Sequence, residues 1–201
     1  ELSDICPWLL NQFKKHDFTF DYDADTTKPI VTVSMDLYNE KRRLELDVNK
    51  VDKDHHDHFL NGAIFEVYDK TIDSYVTTLA SGQLMIAGED KGEEYEISKN
   101  EDFTKIIKMV KTDENKQIVL DIDDGTYYSR KVGSDEVTKH VIKDGKAVLS
   151  DAIYGHEYEF KEIKAPTSYQ LADKSKAYKV EADEETDTII YYFENARIVV
   201  P

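Results

Sequence analysis

Lys50, Glu162 and Asn195 each stand where the inward-facing row of a predicted strand would continue. Alternate side chains of a strand point to the same face, so each of the three shares a face with the apolar residues just before it. A strand that ends in water explains any one of them, but the three residue types together allow a specific reaction. The apolar rows before them are Leu44-Leu46-Val48, Tyr158-Phe160 and Ile189-Tyr191-Phe193.

Burial would change the chemistry of all three groups. Desolvation lowers the pKa of a lysine, and the neutral amine is a nucleophile. A buried carboxylic acid can stay protonated, hydrogen-bond to an amide oxygen and relay protons. An asparagine offers an amide carbonyl with ammonia as leaving group. Together, the three residues could form a Lys–Asn isopeptide bond within the chain without any external enzyme.

The elements that must position these residues are predicted to be β-strands. Short alternating runs separated by Gly, Asp, Asn and Lys are typical of antiparallel strands in sandwiches. Thirteen tyrosines suit half-buried pleated surfaces. Two short helical segments are also predicted, over residues 3–15 and 101–108. The predicted strands lie at 31–39, 44–48, 63–67, 118–122, 126–128, 158–163 and 188–193, and turns lie at Asn61-Gly62, Ser81-Gly82, Asp124-Gly125 and Asp144-Gly145.

A weak internal repeat relates residues 112–131 to residues 143–162. Both copies run from a polar turn through a strand and a glycine to a tyrosine-rich strand. The later copy ends that strand on Glu162, whereas the earlier copy ends it on Arg130 and Lys131. We therefore expect the reaction in one copy only.

Composition excludes several classes of function. The chain has 201 residues with 26 basic and 42 acidic side chains, a net charge of −16, which argues against binding nucleic acid or an anionic membrane surface. A 40% hydrophobic content is enough for a core. The single cysteine, Cys6, rules out an internal disulfide, and no apolar run approaches the roughly 18 residues of a membrane span. Because the chain begins with Glu1, we expect a fragment of a longer protein.

Three motifs in the right order resemble a known family. Tyr158-x-Phe160-x-Glu162-x-x-Ala165-Pro166-x-x-Tyr169 is similar to the E-box of Cna-B-type domains, also called SpaA-type prealbumin-fold domains. Val48-x-Lys50-x-Asp52 followed by Leu60-x-Gly62-Ala63-x-Phe65-x-Val67 resembles the opening strands of that family, and Tyr192-Phe193-x-Asn195 resembles its closing strand. Ser168 stands where the E-box usually has glycine. The resemblance implies an all-β, immunoglobulin-like or prealbumin-like sandwich.

The resemblance also implies the roles of the three polar residues. In the family, the opening lysine and closing asparagine are joined by an isopeptide bond that the E-box glutamate promotes. These roles fall on Lys50, Asn195 and Glu162, the residues that strand parity selects. Lys53 and Glu159 are nearby rivals whose parity points outward. A link between residues 50 and 195 would close a loop worth roughly 4–5 kcal/mol in the chain-entropy model.

We divide the chain into three parts. Residues 1–43 resemble the closing strands of a preceding module, in which Asn39 is a candidate acceptor with no evident lysine or glutamate partner. Residues 44–201 form the Cna-B-type domain. Residues 75–142 are a nested insert that resembles a second, uncross-linked copy; the alternative is that they extend the sheets of the surrounding domain.

The expected function is a structural stalk or adhesin region of a Gram-positive surface protein or pilin, extracellular and anchored to the cell wall. Its partners would be neighbouring domains or pilus subunits. The alternative is an adhesin that binds a host protein or glycan through the insert, which an exposed patch of Tyr75, Tyr127 or Tyr128 would favour. Beyond a single self-reaction, no enzyme motif is present.

Other candidate sites are weaker. His55, His56 and His58 among aspartates could bind zinc, but they lie in a connecting loop, so no metal is expected. Asp121, Asp123 and Asp124 fail the calcium-loop pattern because its final glutamate is absent. The surroundings of Cys6 do not resemble a thioester motif. No cofactor is expected.

Overall fold

The computed structural model describes residues 41–200, and every regular element in that range is a β-strand. The predictions for residues 3–15 and 31–39, for Cys6 and for Asn39 lie outside this range. No helix long and apolar enough to cross a membrane occurs in the described range. The strands are β1 (Arg43–Asp52), β2 (Ile64–Asp69), β3 (Ser74–Ala80), β4 (Leu84–Ala87), β5 (Glu94–Ser98), β6 (Ile106–Lys111), β7 (Gln117–Leu120), β8 (Gly125–Lys131), β9 (Thr138–Ile142), β10 (Lys146–Ile153), β11 (Glu157–Lys164), β12 (Lys176–Lys179) and β13 (Thr188–Asn195).

Two sheets form a sandwich that we call the host. One has the order β10-β1-β13 and the other has the order β12-β11-β2-β3. The central strand β1 is antiparallel to β10 but parallel to β13. A parallel pair places the corresponding ends of its strands side by side, so the ends of the first and last host strands lie together.

The host core contains the apolar rows that the sequence indicates. Leu46 and Val48 of β1 are fully buried. Phe65 lies between Phe160 and Phe193, with ring centroids 5.9 Å and 5.0 Å away in edge-to-face geometry. This arrangement is favourable beyond the apolar area that it buries. The strand parity derived from the sequence is therefore confirmed in β1, β11 and β13.

Strands β4 to β9 form a second pair of sheets, which we call the insert. Strand β4 pairs with β7, and the facing sheet has the order β6-β5-β8-β9. A separate core lies between them, built from Leu84, Ile86, Ile97, Ile118, Tyr127 and Ile142. The sequence prediction begins the insert at residue 75, but Ser74–Ala80 pairs with β2 and so belongs to a host sheet.

The insert repeats the strand pairings of the host. The order β9-β8-β5-β6 matches β12-β11-β2-β3, and the pair β4–β7 matches β1–β10. The connecting hydrogen bonds repeat as well: Gly62 N–H donates to Ser81 O (2.9 Å), and Gly92 N–H donates to Thr112 O (3.0 Å). The host has one strand more, because β13 has no counterpart among β4–β9.

One local prediction is wrong. Residues 101–108 were expected to be helical, but Ile106–Lys111 forms strand β6 and pairs with β5. β-Branched residues at Ile106, Ile107 and Val110 fit a pleated surface better than a helix. The free edge of β5 gives them a partner that sequence periodicity does not reveal.

Candidate functional site

The end of β1, the end of β13 and the facing strand β11 bring the three predicted site residues together. Asn195 is the last residue of β13, and Lys50 lies two residues before the end of β1. Because β1 and β13 are parallel, these positions are neighbours, with Lys50 opposite Phe193 in the register. Glu162 reaches the same point from β11 in the other sheet.

The distances among the three side chains are those of direct contact. Lys50 Nζ lies 2.6 Å from Asn195 Oδ1 and 3.6 Å from Glu162 Oε1. The Asn195 amide nitrogen Nδ2 donates to both oxygens of Glu162, at 2.9 and 2.8 Å. The asparagine amide is therefore held between a lysine on one side and a carboxyl group on the other.

The site is closed to water. Lys50 is 0%, Asn195 2% and Glu162 4% exposed. The ring of Phe193 lies 4.8 Å from Lys50 Nζ. Burial lowers the pKa of Lys50 to about 8, although the neighbouring Glu162 carboxylate acts in the opposite direction. The amine therefore reaches its neutral, nucleophilic form at a lower pH than an exposed lysine would.

The segment after β11 supplies backbone partners that the sequence prediction missed. Gln170 O accepts a hydrogen bond from Asn195 Nδ2 (2.9 Å), and Ala172 N–H donates to Glu162 Oε2 (2.9 Å). These bonds fix the orientation of the amide and of the carboxyl group. Gln170 and Ala172 lie one and three residues after the E-box tyrosine, Tyr169. No side-chain signal could have identified their backbone contacts.

A second polar cluster, which we call the clamp, ties the strand ends beside the site. Asp52 Oδ2 accepts hydrogen bonds from Tyr169 Oη (2.8 Å) and Arg197 Nε (2.6 Å). These bonds, above all that from Arg197, hold the pKa of the buried Asp52 well below its usual range. Asp52 and Arg197 each lie two residues after a predicted cross-linking residue, so the clamp fixes β1 against β13. Strand parity identified neither clamp partner.

The equivalent positions in the insert are changed. Lys50 N–H donates to Gly145 O, and Gly88 N–H donates to Lys116 O, so Gly88 corresponds to Lys50. The register of β5 and β8 places Lys131 where the host has Glu162. The carboxylate of Glu93 approaches Gly88 and pairs with Lys131, with 2.5 Å between Oε1 and Nζ. An ion pair therefore occupies this place in the insert.

The remaining candidates lie apart from the site. Lys53 is exposed, and Glu159 accepts a hydrogen bond from Ser175, as their outward parity predicts. His56 contacts Glu194 and His58 contacts Arg197. Within residues 41–200, no group of His, Cys, Asp and Glu is arranged to hold a metal ion.

The tyrosines named for the adhesin alternative do not form one exposed patch. Tyr127 is 1% exposed and belongs to the insert core. Tyr128 is half-buried. Tyr75 is exposed, but it lies on β3 of the host.

Fold and site together define a class of protein: a prealbumin-like β-sandwich with a buried Lys–Glu–Asn group between its first and last strands. The chain belongs to the SpaA family, because the model of the SpaA prealbumin-like fold domain matches residues 44–197. This match confirms the family and fold class expected from the sequence. A search of curated proteins gave no match.

Solved structures with a similar fold include three pilins. GBS52, the minor pilin of Streptococcus agalactiae, has 21% sequence identity and a TM-score of 0.38, and the match covers 82% of this chain and 50% of that one. The group B streptococcus pilus 2b backbone protein has 17% identity and a TM-score of 0.37, with coverages of 87% and 46%. The shaft pilin spaA of Lactobacillus rhamnosus GG has 13% identity and a TM-score of 0.39, with coverages of 82% and 51%. The chain spans about half the length of these proteins.

Proposed function

We propose that this domain is a load-bearing module of a Gram-positive surface protein or pilus, closed by a self-generated isopeptide bond between Lys50 and Asn195. The observation that carries the proposal is the buried contact between Lys50 Nζ and Asn195 Oδ1, 2.6 Å apart, with Glu162 hydrogen-bonded to the amide nitrogen and 3.6 Å from the amine. A buried ion pair alone is a weak source of stability, so a reactive role accounts better for this arrangement.

The reaction balances with the groups in the site. Glu162 accepts a proton from the Lys50 ammonium, and the neutral Nζ attacks Cγ of Asn195. Glu162 then gives that proton to Nδ2 and accepts one from the attacking nitrogen. The Cγ–Nδ2 bond breaks, ammonia leaves, and an amide joins the two side chains. The carboxyl group ends protonated, and each molecule reacts once.

The position of the bond explains its mechanical value. Force that enters at the start of β1 and leaves after β13 would shear two parallel strands. A covalent link at Lys50 and Asn195 carries that force directly from one strand to the other. The host sheets and the insert between these residues then bear little of the load.

This role suits an extracellular stalk. Membership of a family with this fold and the acidic composition support a location on the cell surface or pilus. Because residues 41–200 contain no cysteine, the isopeptide bond would take the part of a disulfide there. Its partners would be neighbouring domains of the same protein or other pilus subunits.

Intact mass spectrometry tests the proposal. The denatured wild-type chain should be lighter than its calculated mass by one ammonia, and a peptide map should contain Lys50 joined to Asn195. Lys50→Arg and Asn195→Ala should each restore the calculated mass, whereas Lys53→Arg should not. A wild-type chain at its full calculated mass would refute the bond.

A further inference from the structure

In the part of the chain that the structure describes, the insert lacks the strand that closes the host, and a cleft lies where that strand would be. In the host, β1 has β10 on one side and β13 on the other. In the insert, the corresponding strand β4 has β7 on one side, and within residues 41–200 no strand pairs with its second edge. A cleft of about 360 Å³ is lined by Met85, Ile86 and Ala87 of β4 together with residues of β3, β8 and β9.

Backbone groups of β4 point into this open position. Gly88 N–H donates to Lys116 O next to β7, so by the alternation of an antiparallel pair Ile86 also bonds toward β7. The N–H and C=O groups of Met85 and Ala87 therefore face the opposite edge. A row of unpaired groups at strand spacing is a template for another strand.

The floor of the cleft has smaller side chains than the corresponding part of the host. In the host, β13 covers Phe160 and Tyr178, and Tyr178 stacks on Tyr191 with ring centroids 4.7 Å apart. The registers of β8 and β9 place Ser129 and His140 at the corresponding positions of the insert, and both line the cleft. Because both are smaller than their host counterparts, the added strand must carry bulky inward residues to fill the space.

We propose that the insert binds an extended segment of a partner protein, which adds as a strand parallel to β4 and directs large apolar side chains onto Ser129 and His140. The partner would complete the second sandwich as β13 completes the first. A polypeptide is favoured because rows of backbone donors and acceptors recognise another backbone, and alternate side-chain pockets then select its sequence. This inference does not depend on the isopeptide bond.

A peptide with the sequence of residues 188–197 is the probe, since that strand fills the equivalent position in the host. Fluorescence anisotropy of the labelled peptide with the full chain should show saturable binding. A peptide of the same composition with its alternation scrambled should not bind. Absence of binding by the 188–197 peptide would overturn the proposal.

Two proline substitutions at different strand edges identify the binding edge. Ala87→Pro removes a free-edge N–H without removing a hydrogen bond to β7, and should weaken binding about tenfold or more. Met109→Pro removes an outward-facing N–H of β6, the outer strand of the facing sheet, which does not line the cleft, and should bind as the wild type does. Equal binding by both variants would overturn the proposal, because the peptide would then lie elsewhere.

Amide hydrogen exchange keeps the test independent of how well the proline variant folds. In the peptide-free wild-type chain, the Met85 and Ala87 amides should exchange faster than those of Ile86 and Gly88. The peptide should slow exchange at Met85 and Ala87. Slow exchange at both positions before any peptide is added would overturn the proposal, because the edge would already be occupied.

Discussion

Glu162→Gln should separate the covalent contribution of the site from its hydrogen bonds. Glutamine keeps the size of the side chain and can still contact the Asn195 amide, but it cannot take a proton from Lys50. The bond should therefore not form, and the calculated mass should return. The chain should also lose the stabilisation that the closed loop provides.

The magnitude follows from the loop. Lys50 and Asn195 are 145 positions apart, and a cross-link over such a distance stabilises by roughly 4–5 kcal/mol in the chain-entropy model. For a domain of this size, that corresponds to a fall in melting temperature of roughly 10–20 °C. A neutral hydrogen bond contributes only about 1 kcal/mol, so the two explanations differ in scale.

A double-mutant cycle with Asn195→Ala provides the assay. Each single variant should lose the bond, so the free energy of the loop is lost once in either variant and not again in the double variant. The double variant should then be roughly 4–5 kcal/mol more stable than the sum of the two single losses predicts. Thermal and denaturant unfolding measure the four proteins. The reasoning would be refuted if the two single losses of stability were additive and the Glu162→Gln chain still lacked one ammonia.

Three further outcomes are expected. Arg197→Ala should slow formation of the bond, measured as the fraction of chains at full mass soon after synthesis. Its free energy of unfolding should also fall less on acidification than that of the wild type. The reason is that the lowered pKa of Asp52 gives the wild type stability that is present above the pKa of an unfolded aspartate, about 3.9, and lost as the pH falls. In Asn195→Ala, which cannot form the bond, Lys50 should release its proton near pH 8 in the folded chain and near pH 10.4 in the unfolded chain. The free energy of unfolding, measured with denaturant, should therefore rise between about pH 8 and pH 10.4. In the cross-linked wild type the amine is acylated, and this rise should be absent. Gly145→Ala should destabilise by more than about 2 kcal/mol in the same assay, because φ is +67° and its new Cβ would lie 2.3 Å from Cβ of Phe59; an unchanged melting temperature would contradict this.

Much of the fold could be predicted from the sequence because strand side chains alternate. Leu46, Val48, Phe160 and Phe193 are buried as their parity indicates. The helix expected over residues 101–108 failed because that segment depends on pairing with β5, a contact between distant parts of the chain. Local propensity contains no information on such a contact.

The clamp and the open edge of the insert could not be predicted from the sequence for the same reason. Asp52, Tyr169 and Arg197 come from three segments, and nothing in their spacing indicates that they meet. Among residues 41–200, the second edge of β4 has no partner, and this depends on which strands pair, as do the equivalences of Gly88 and Lys131. These features follow from register, which forms only when the sheets assemble.

The sequence by itself determined that Lys50, Glu162 and Asn195 point inward, since strand parity depends only on the order of residues. Only the tertiary structure decided that they meet, because β1 and β13 pair in parallel and β11 faces them from the other sheet. The residue types alone indicate which reaction is possible. Its geometry depends on two strand ends, distant along the chain, lying side by side in a buried core.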